Sequence, residues 1–199
     1  MKTLLGLFVC CVLVTTGTTL ECEVCTGIGT SCTGKMQTCE AGEDTCTIAV
    51  SECTVAGFNF QIPLIFKACE SSRYCNLGPH YLDFGHGFSL RTMVSCCVGD
   101  ACRTATPQVP PIITRLNGKQ CPACFSSYNS CSAGDMVDCV GPQTECLDLA
   151  VTVTHGTVVS SRVQKGCVTK GACDDVSRGK KLLEGLHSII TKAECRAAS

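Results

Sequence analysis

The sequence has no tryptophan, and aromatic residues make up only 5% of it. Large rigid side chains therefore supply little core, and something else must hold the fold together. The apolar run from Leu4 to Val14 falls well short of the roughly 20 residues that span a bilayer, and no glycolipid-type hydrophobic tail follows Cys195, where the chain reads "RAAS". That argues against a membrane anchor. With a net charge of −1 and no cluster of basic residues, nothing resembles a nucleic-acid footprint. No P-loop, G-x-G-x-x-G, H-E-x-x-H, EF-hand or G-x-S-x-G pattern occurs, which removes the common signatures of nucleotide, metal and acyl-transfer chemistry. There is no N-x-S/T glycosylation acceptor either, since Asn129 reads "NSC" and Asn59, Asn76 and Asn117 also fail.

What the chain has in abundance is cysteine, 21 in all. The opening "MKTLLGLFVCCVLVTTGTT" has one early lysine, a short apolar run and small residues toward Thr19, the layout of a secretory signal peptide. Removal of residues 1–19 would take Cys10 and Cys11 with it. The remaining chain is close to one-tenth cysteine, the composition of a secreted disulfide scaffold. The expected location is extracellular, with plasma favoured.

The cysteines are written as one pattern twice. Cys22, Cys25, Cys32, Cys39 and Cys46 run C-x2-C-x6-C-x6-C-x6-C. Cys121, Cys124, Cys131, Cys139 and Cys146 run C-x2-C-x6-C-x7-C-x6-C. In each copy a gap of some twenty residues leads to a C-x5-C pair, Cys69/Cys75 and Cys167/Cys173, and a similar gap to Cys96 or Cys195. This is an internal duplication, and two domains follow from it. Between them, "RTATPQVPPIITRLNGKQ" carries Pro107, Pro110 and Pro111, which favour a stiff, extended linker. The halves differ in charge: Leu20–Ala105 sums to −4 and Thr106–Ser199 to +2. The first half could favour a basic partner or sit against the second, but two ordinary solvated surfaces account for the difference more simply.

The long gaps read as β-hairpins. Leu147, Leu149, Val151 and Val153 alternate with smaller or polar residues, and His155-Gly156 marks a turn before a second extended run. "TCTIAVSECTVAGFNFQIPLIFKAC" repeats this around Gly57-Phe58-Asn59, and "YLDFGHGFSLRTMVSCC" around Gly85-His86-Gly87. In "KKLLEGLHSIITKAEC", Leu182, Leu183, Leu186, Ile189 and Ile190 also suit a short helix. The fold class is all-β, small and disulfide-rich.

Site chemistry can be tested directly. The C-x2-C pairs Cys22/Cys25 and Cys121/Cys124 could in principle hold zinc, but they sit in different repeats, and an oxidising compartment favours disulfides. Asp83, His86 and Ser89 invite comparison with a hydrolytic triad, yet His86 and His155 read better as hairpin-tip residues. No catalytic residue, cofactor or metal is expected, and the chain is not read as an enzyme.

Three hairpins issuing from a cysteine knot resemble the three-finger domains of snake toxins, the urokinase receptor and lymphocyte antigens, down to the close "CCVGDAC". The residue after that close is Arg103, where the family usually has asparagine. Over the whole chain, "LECEVC", the Pro-bearing linker into "LNGKQCPAC", "KGC" and "AECRAAS" resemble the gamma-type phospholipase A2 inhibitors of reptile plasma. That resemblance implies two tandem three-finger domains, 20–103 and 121–199, joined by the linker 104–120. It implies the pairs Cys22–Cys46, Cys25–Cys32, Cys39–Cys69, Cys75–Cys96 and Cys97–Cys102, then Cys121–Cys146, Cys124–Cys131, Cys139–Cys167 and Cys173–Cys195. Cys53 is left over, as a free or capped thiol or a bond to another chain.

The resemblance further implies a secreted phospholipase A2 as partner and assembly into homo- or hetero-oligomers. Its contact candidates are Pro107, Val109, Pro110, Pro111, Ile112 and Ile113, with the finger tips. Two other readings stay open on the same scaffold: a signalling ligand of the sodefrin-precursor type, or an extracellular binding protein without inhibitory activity.

Overall fold

The computed structural model describes residues 19–55, 61–126, 131, 134–155, 158–177 and 187–199. The segment read as a signal peptide up to residue 18, the hairpin tips at 57–59 and 156, and Leu182, Leu183 and Leu186 lie outside them. In the first module β1 (Glu21–Ile28) and β2 (Lys35–Thr38) form a short hairpin, β3 (Thr45–Thr54) and β4 (Gln61–Glu70) a long one, and β5 (His80–Asp83) and β6 (Ser89–Cys97) a third. After a one-turn helix α1 (Ala101–Thr104), the second module follows the same plan. It comprises β7 (Leu116–Pro122), β8 (Cys124–Ser126), β9 (Met136–Val140), β10 (Gln143–His155) and β11 (Val158–Thr169), then helix α2 (Lys170–Ser177) and β12 (His187–Ala197). The architecture is two tandem three-finger units.

Among the described residues, nine disulfides close the two knots. Cys22 joins Cys46, Cys25 joins Cys32, Cys39 joins Cys69, Cys75 joins Cys96 and Cys97 joins Cys102. In the second module Cys121 joins Cys146, Cys124 joins Cys131, Cys139 joins Cys167 and Cys173 joins Cys195. Bridges stack at the centre of each knot, with Cys22 Sγ 3.3 Å from Cys39 Sγ and Cys121 Sγ 3.6 Å from Cys139 Sγ. Each bridge typically contributes about 2–5 kcal/mol in a small domain, so the knots replace the missing aromatic core.

The modules share one ten-stranded sheet, ordered β12-β10-β11-β5-β6-β3-β4-β1-β2 with β8 on β11. The seam is short: β11 meets β5 only at Cys167 opposite Asp83 and Val168 opposite Leu82. Burial behind it is extensive. Leu82, Phe84 and Leu90 of the first module pack with Leu147, Leu149, Val168, Ala172 and Val176 of the second. Phe88 stacks on Phe125 at 4.4 Å. Leu147 and Leu149 face this core while Asp148 between them points away, as strand alternation requires.

At the C-terminal end, tertiary pairing overrides local pattern. Ile189 and Ile190 belong to β12, opposite Thr152 and Val151 of β10, rather than to a short helix. Ile190 packs on the core between the modules, and the ladder satisfies the backbone there. The helix lies earlier, at α2, where Ala172, Cys173 and Val176 face that core at helical spacing.

Gly166 sits where the two modules approach closely. A Cβ there would sit 1.9 Å from the Asp83 carbonyl oxygen and 2.8 Å from Phe84 Cα, and neither backbone can yield cheaply. Gly166→Ala is therefore expected to cost about 1–3 kcal/mol or more. Urea unfolding with disulfides intact should show a lower midpoint and the separation of one transition into two. An unchanged single transition would mean that the seam does not couple the modules.

Candidate functional site

The site is built on the segment between the modules. Beyond α1 the chain stays extended to Arg115, as Pro107, Pro110 and Pro111 impose on themselves and on the residues before them. It does not hang free. It lies as a strap along one face of the first module, the face carrying Cys46, Ile48, Val50 and Glu52 of β3. Opposite these stand Cys97, Ser95, Met93 and Arg91 of β6, and Lys67, Ile65 and Pro63 of β4. Val109 and Ala105 pack against the cluster of Ile48, Val50 and Ile65.

Pro110 is fully buried, and its carbonyl accepts a hydrogen bond from the Arg91 guanidinium, which also pairs with Glu52. The two charged side chains are only 13% and 19% exposed, so burial pulls the Arg91 pKa below its usual value. At the far end Ile113 fills the space over Gly141, where a Cβ would come within 2.7 Å of its Cγ2. The six linker residues thus divide by role. Pro110 anchors, Val109 packs inward, Pro107 and Ile113 are half-buried, and Pro111 and Ile112 face solvent, Ile112 at 60% exposure.

Between the strap, the sheet face and the first hairpin lies a cleft of about 900 Å³. Ile48, Val50 and Ile65 form its floor, with Pro107 and Val109 on one wall and Met36 on another. Its charged groups are Glu21, Glu23, Lys67, Asp100 and Arg103. Glu23 accepts from Lys67 Nζ at 2.6 Å and from the Gly34 N–H at 3.0 Å; the lysine hydrogen bond first, then the backbone one, hold its carboxyl below the usual glutamate range.

The second module carries a different surface on its corresponding face. Counting from Cys46 and Cys146, Asp148 stands where the first module has Ile48. Burial alone would push the Asp148 pKa up, but hydrogen bonds from Lys192 and Lys165, each at 2.9 Å, bring it down. One face is thus apolar and covered by the strap, and its counterpart is charged.

Other sequence-singled residues fall outside the cleft. His86 sits at the tip of the third hairpin with φ 52°, its Nε2 3.3 Å from Asp135 of the second module. Asp83 instead accepts from the Gly85 N–H at 2.9 Å, so these residues do not assemble a triad. The clustered sulfurs of Cys22, Cys39 and Cys69, and of Cys121, Cys139 and Cys167, belong to disulfides and offer no thiolate for a metal. Cys53 is a free thiol, half-buried against the core between the modules, and that burial pushes its pKa up. Strand parity places it on the opposite face of β3 from Cys46. The Arg91–Glu52–Pro110 anchor and the cleft have no local sequence signal, since their parts come from strands and a linker far apart along the chain.

Comparison with known families now bears on this geometry. A phospholipase A2 inhibitor family model matches residues 20–104, and a u-PAR/Ly-6 domain model matches 117–196. Phospholipase A2 inhibitor NAI of Notechis ater is 32% identical over 177 residues, 84% of each chain. Phospholipase A2 inhibitor PIP of Malayopython reticulatus is 30% identical over 207 residues, covering 100% of this chain and 96% of its own. The phospholipase A2 inhibitor 25 kDa subunit of Naja kaouthia is 31% identical over 185 residues, 90% of this chain and 95% of its own.

Two outcomes follow from the strap and the thiol. Arg91→Met leaves Glu52 and the Pro110 carbonyl without their donor, an expected loss of about 1–3 kcal/mol. Trypsin should then cut faster at Arg103 and Arg115, while Arg91→Met with Glu52→Leu should recover most of the stability; an unchanged cleavage rate would contradict the anchoring role. For Cys53, the pH midpoint of iodoacetamide alkylation, followed on its peptide by mass spectrometry, should lie above the value of about 8.5 for an exposed thiol. A midpoint at or below that value would place the thiol outside the core.

Proposed function

The chain belongs to the phospholipase A2 inhibitor family, and on that premise we propose that it is secreted and that it binds and inhibits secreted phospholipases A2 by covering their membrane-binding and active-site face. It acts as a binding protein, without catalytic residues of its own. Secretion is supported by 18 cysteines held in disulfides, chemistry that persists in oxidising compartments.

The observation that carries the inhibitory reading is the strap. A phospholipase that works at a lipid surface must seat an apolar rim there, and that rim is what an inhibitor can occupy. Pro111 and Ile112 present apolar surface outward from a backbone already held by Pro110, Arg91 and Ile113. Such preorganisation keeps the ordering cost of binding small. The resemblance offered all six linker residues as contact candidates; Pro110 is buried, Pro107, Val109 and Ile113 are half-buried, and Pro111 and Ile112 face outward.

Ile112→Asp, at an exposed position, is expected to leave the melting temperature unchanged and to weaken inhibition of the susceptible phospholipase about tenfold, on the scale of a central interface residue. The measurement is turnover of a panel of secreted phospholipases A2 with and without purified protein. Capture of enzyme with full turnover retained would refute the inhibitory reading, and equal potency of the variant would remove the strap from the contact.

A further inference from the structure

The outward edge Pro111–Ile112 is carried between two anchors, one on each module. On the first module Pro110 is buried, and its carbonyl accepts from Arg91 of β6. On the second, Ile113 lies over Gly141 in the turn between β9 and β10, and the Gly141 N–H donates to the Arg115 carbonyl at 2.9 Å. That turn is itself held. Asn117 Nδ2 donates to the Gly141 carbonyl at 3.0 Å and to the Gln143 carbonyl at 2.7 Å.

The chain between the anchors has little freedom left. Three Cα steps part Pro110 from Ile113, at most about 11 Å of fully extended backbone. The Pro111 ring fixes its φ, and Pro110, which precedes a proline, is restricted as well. What remains is the ψ of Pro111 and the φ and ψ of Ile112, whose branched side chain is stiff at χ1. With both ends held, the direction of the Ile112 side chain follows from where the two modules grip the chain. Gly141 suits this seat in two respects. Its φ of 49° is left-handed, and a Cβ there would sit 2.7 Å from Ile113 Cγ2 and 3.2 Å from its Cδ1.

We infer that Ile113 is a positioning residue for the partner contact, and that the turn at Gly141 is the seat through which the second module takes part in inhibition. Ile113 acts through Ile112, which makes the contact. The inference rests on the inhibitor reading for that contact; the restraint on Ile112 does not.

Two readouts on the full disulfide-bonded protein test this: the order parameter of the Ile112 amide from nitrogen relaxation, and inhibition of a panel of secreted phospholipases A2. In the unaltered protein the order parameter should lie near the rigid-backbone value of about 0.85, and in Ile113→Ala it should fall below about 0.6. Inhibition should weaken about tenfold in the same variant, the scale of re-ordering one or two residues on binding. Ile113→Val, which keeps the branched contact, should restore both. Gly141→Ala, which pushes Ile113 off its seat without altering the linker, should lose both. Ile112→Asp should weaken inhibition with position 112 still rigid. An Ile112 amide as rigid in Ile113→Ala as in the unaltered protein overturns the positioning role, whatever happens to inhibition. So does a mobile Ile112 with inhibition unchanged. If the order parameter falls as expected but the unaltered protein inhibits no phospholipase, the inhibitor reading fails and the two-ended restraint stands.

Discussion

Stacked disulfides are the constraint from which this structure is built. Without tryptophan and with few aromatic residues, neither module can bury enough apolar surface to offset the conformational entropy of its long hairpins. Two knots of closely stacked bridges do that instead, by limiting the unfolded chain. Once the knots hold the strand bases, the hairpins need only ladder hydrogen bonds and one packed face. Their remaining surfaces are then free to diverge.

That divergence explains the division of labour between the repeats. Both modules project a central hairpin from equivalent cysteines, Cys46 and Cys146. In the first, Ile48, Val50 and Ile65 make one face apolar, and the linker covers it. In the second, Asp148 with Lys165 and Lys192 makes the corresponding face self-sufficient in water. The opposite faces meet in the core shared by Leu82, Leu90, Leu147 and Leu149. The first module is thus covered by the linker on one side and joined to the second module on the other. This arrangement leaves the Pro111–Ile112 edge of the linker facing outward.

Much of the architecture was legible in the chain. The repeated cysteine spacing marked the duplication, and the alternation of Leu147, Leu149 and Val151 marked a strand with one buried face. The prolines marked an extended connector. Less legible was what the connector does. The same "VPPII" string suits an exposed contact or a buried strap, and it is partly each: Pro110 is buried while Ile112 is exposed. The isoleucines before Cys195 fit a helix as well as a strand until β10 lies alongside.

By itself, the sequence determined the local chemistry: two cysteine frameworks, hairpins of period two, and a linker unable to turn helical. These depend on neighbours a few residues apart, which a linear reading captures. Only the tertiary structure decided that Arg91 and Glu52 would anchor Pro110, that Gly166 would admit the Asp83 backbone, and that Cys53 would lie against the core between the modules. Each of these joins residues far apart along the chain, and the geometry that brings them together exists only after the strands have paired. The opening "CEVC" builds the knot in either case; the surface available to a partner depends on how the strap settles over the sheet.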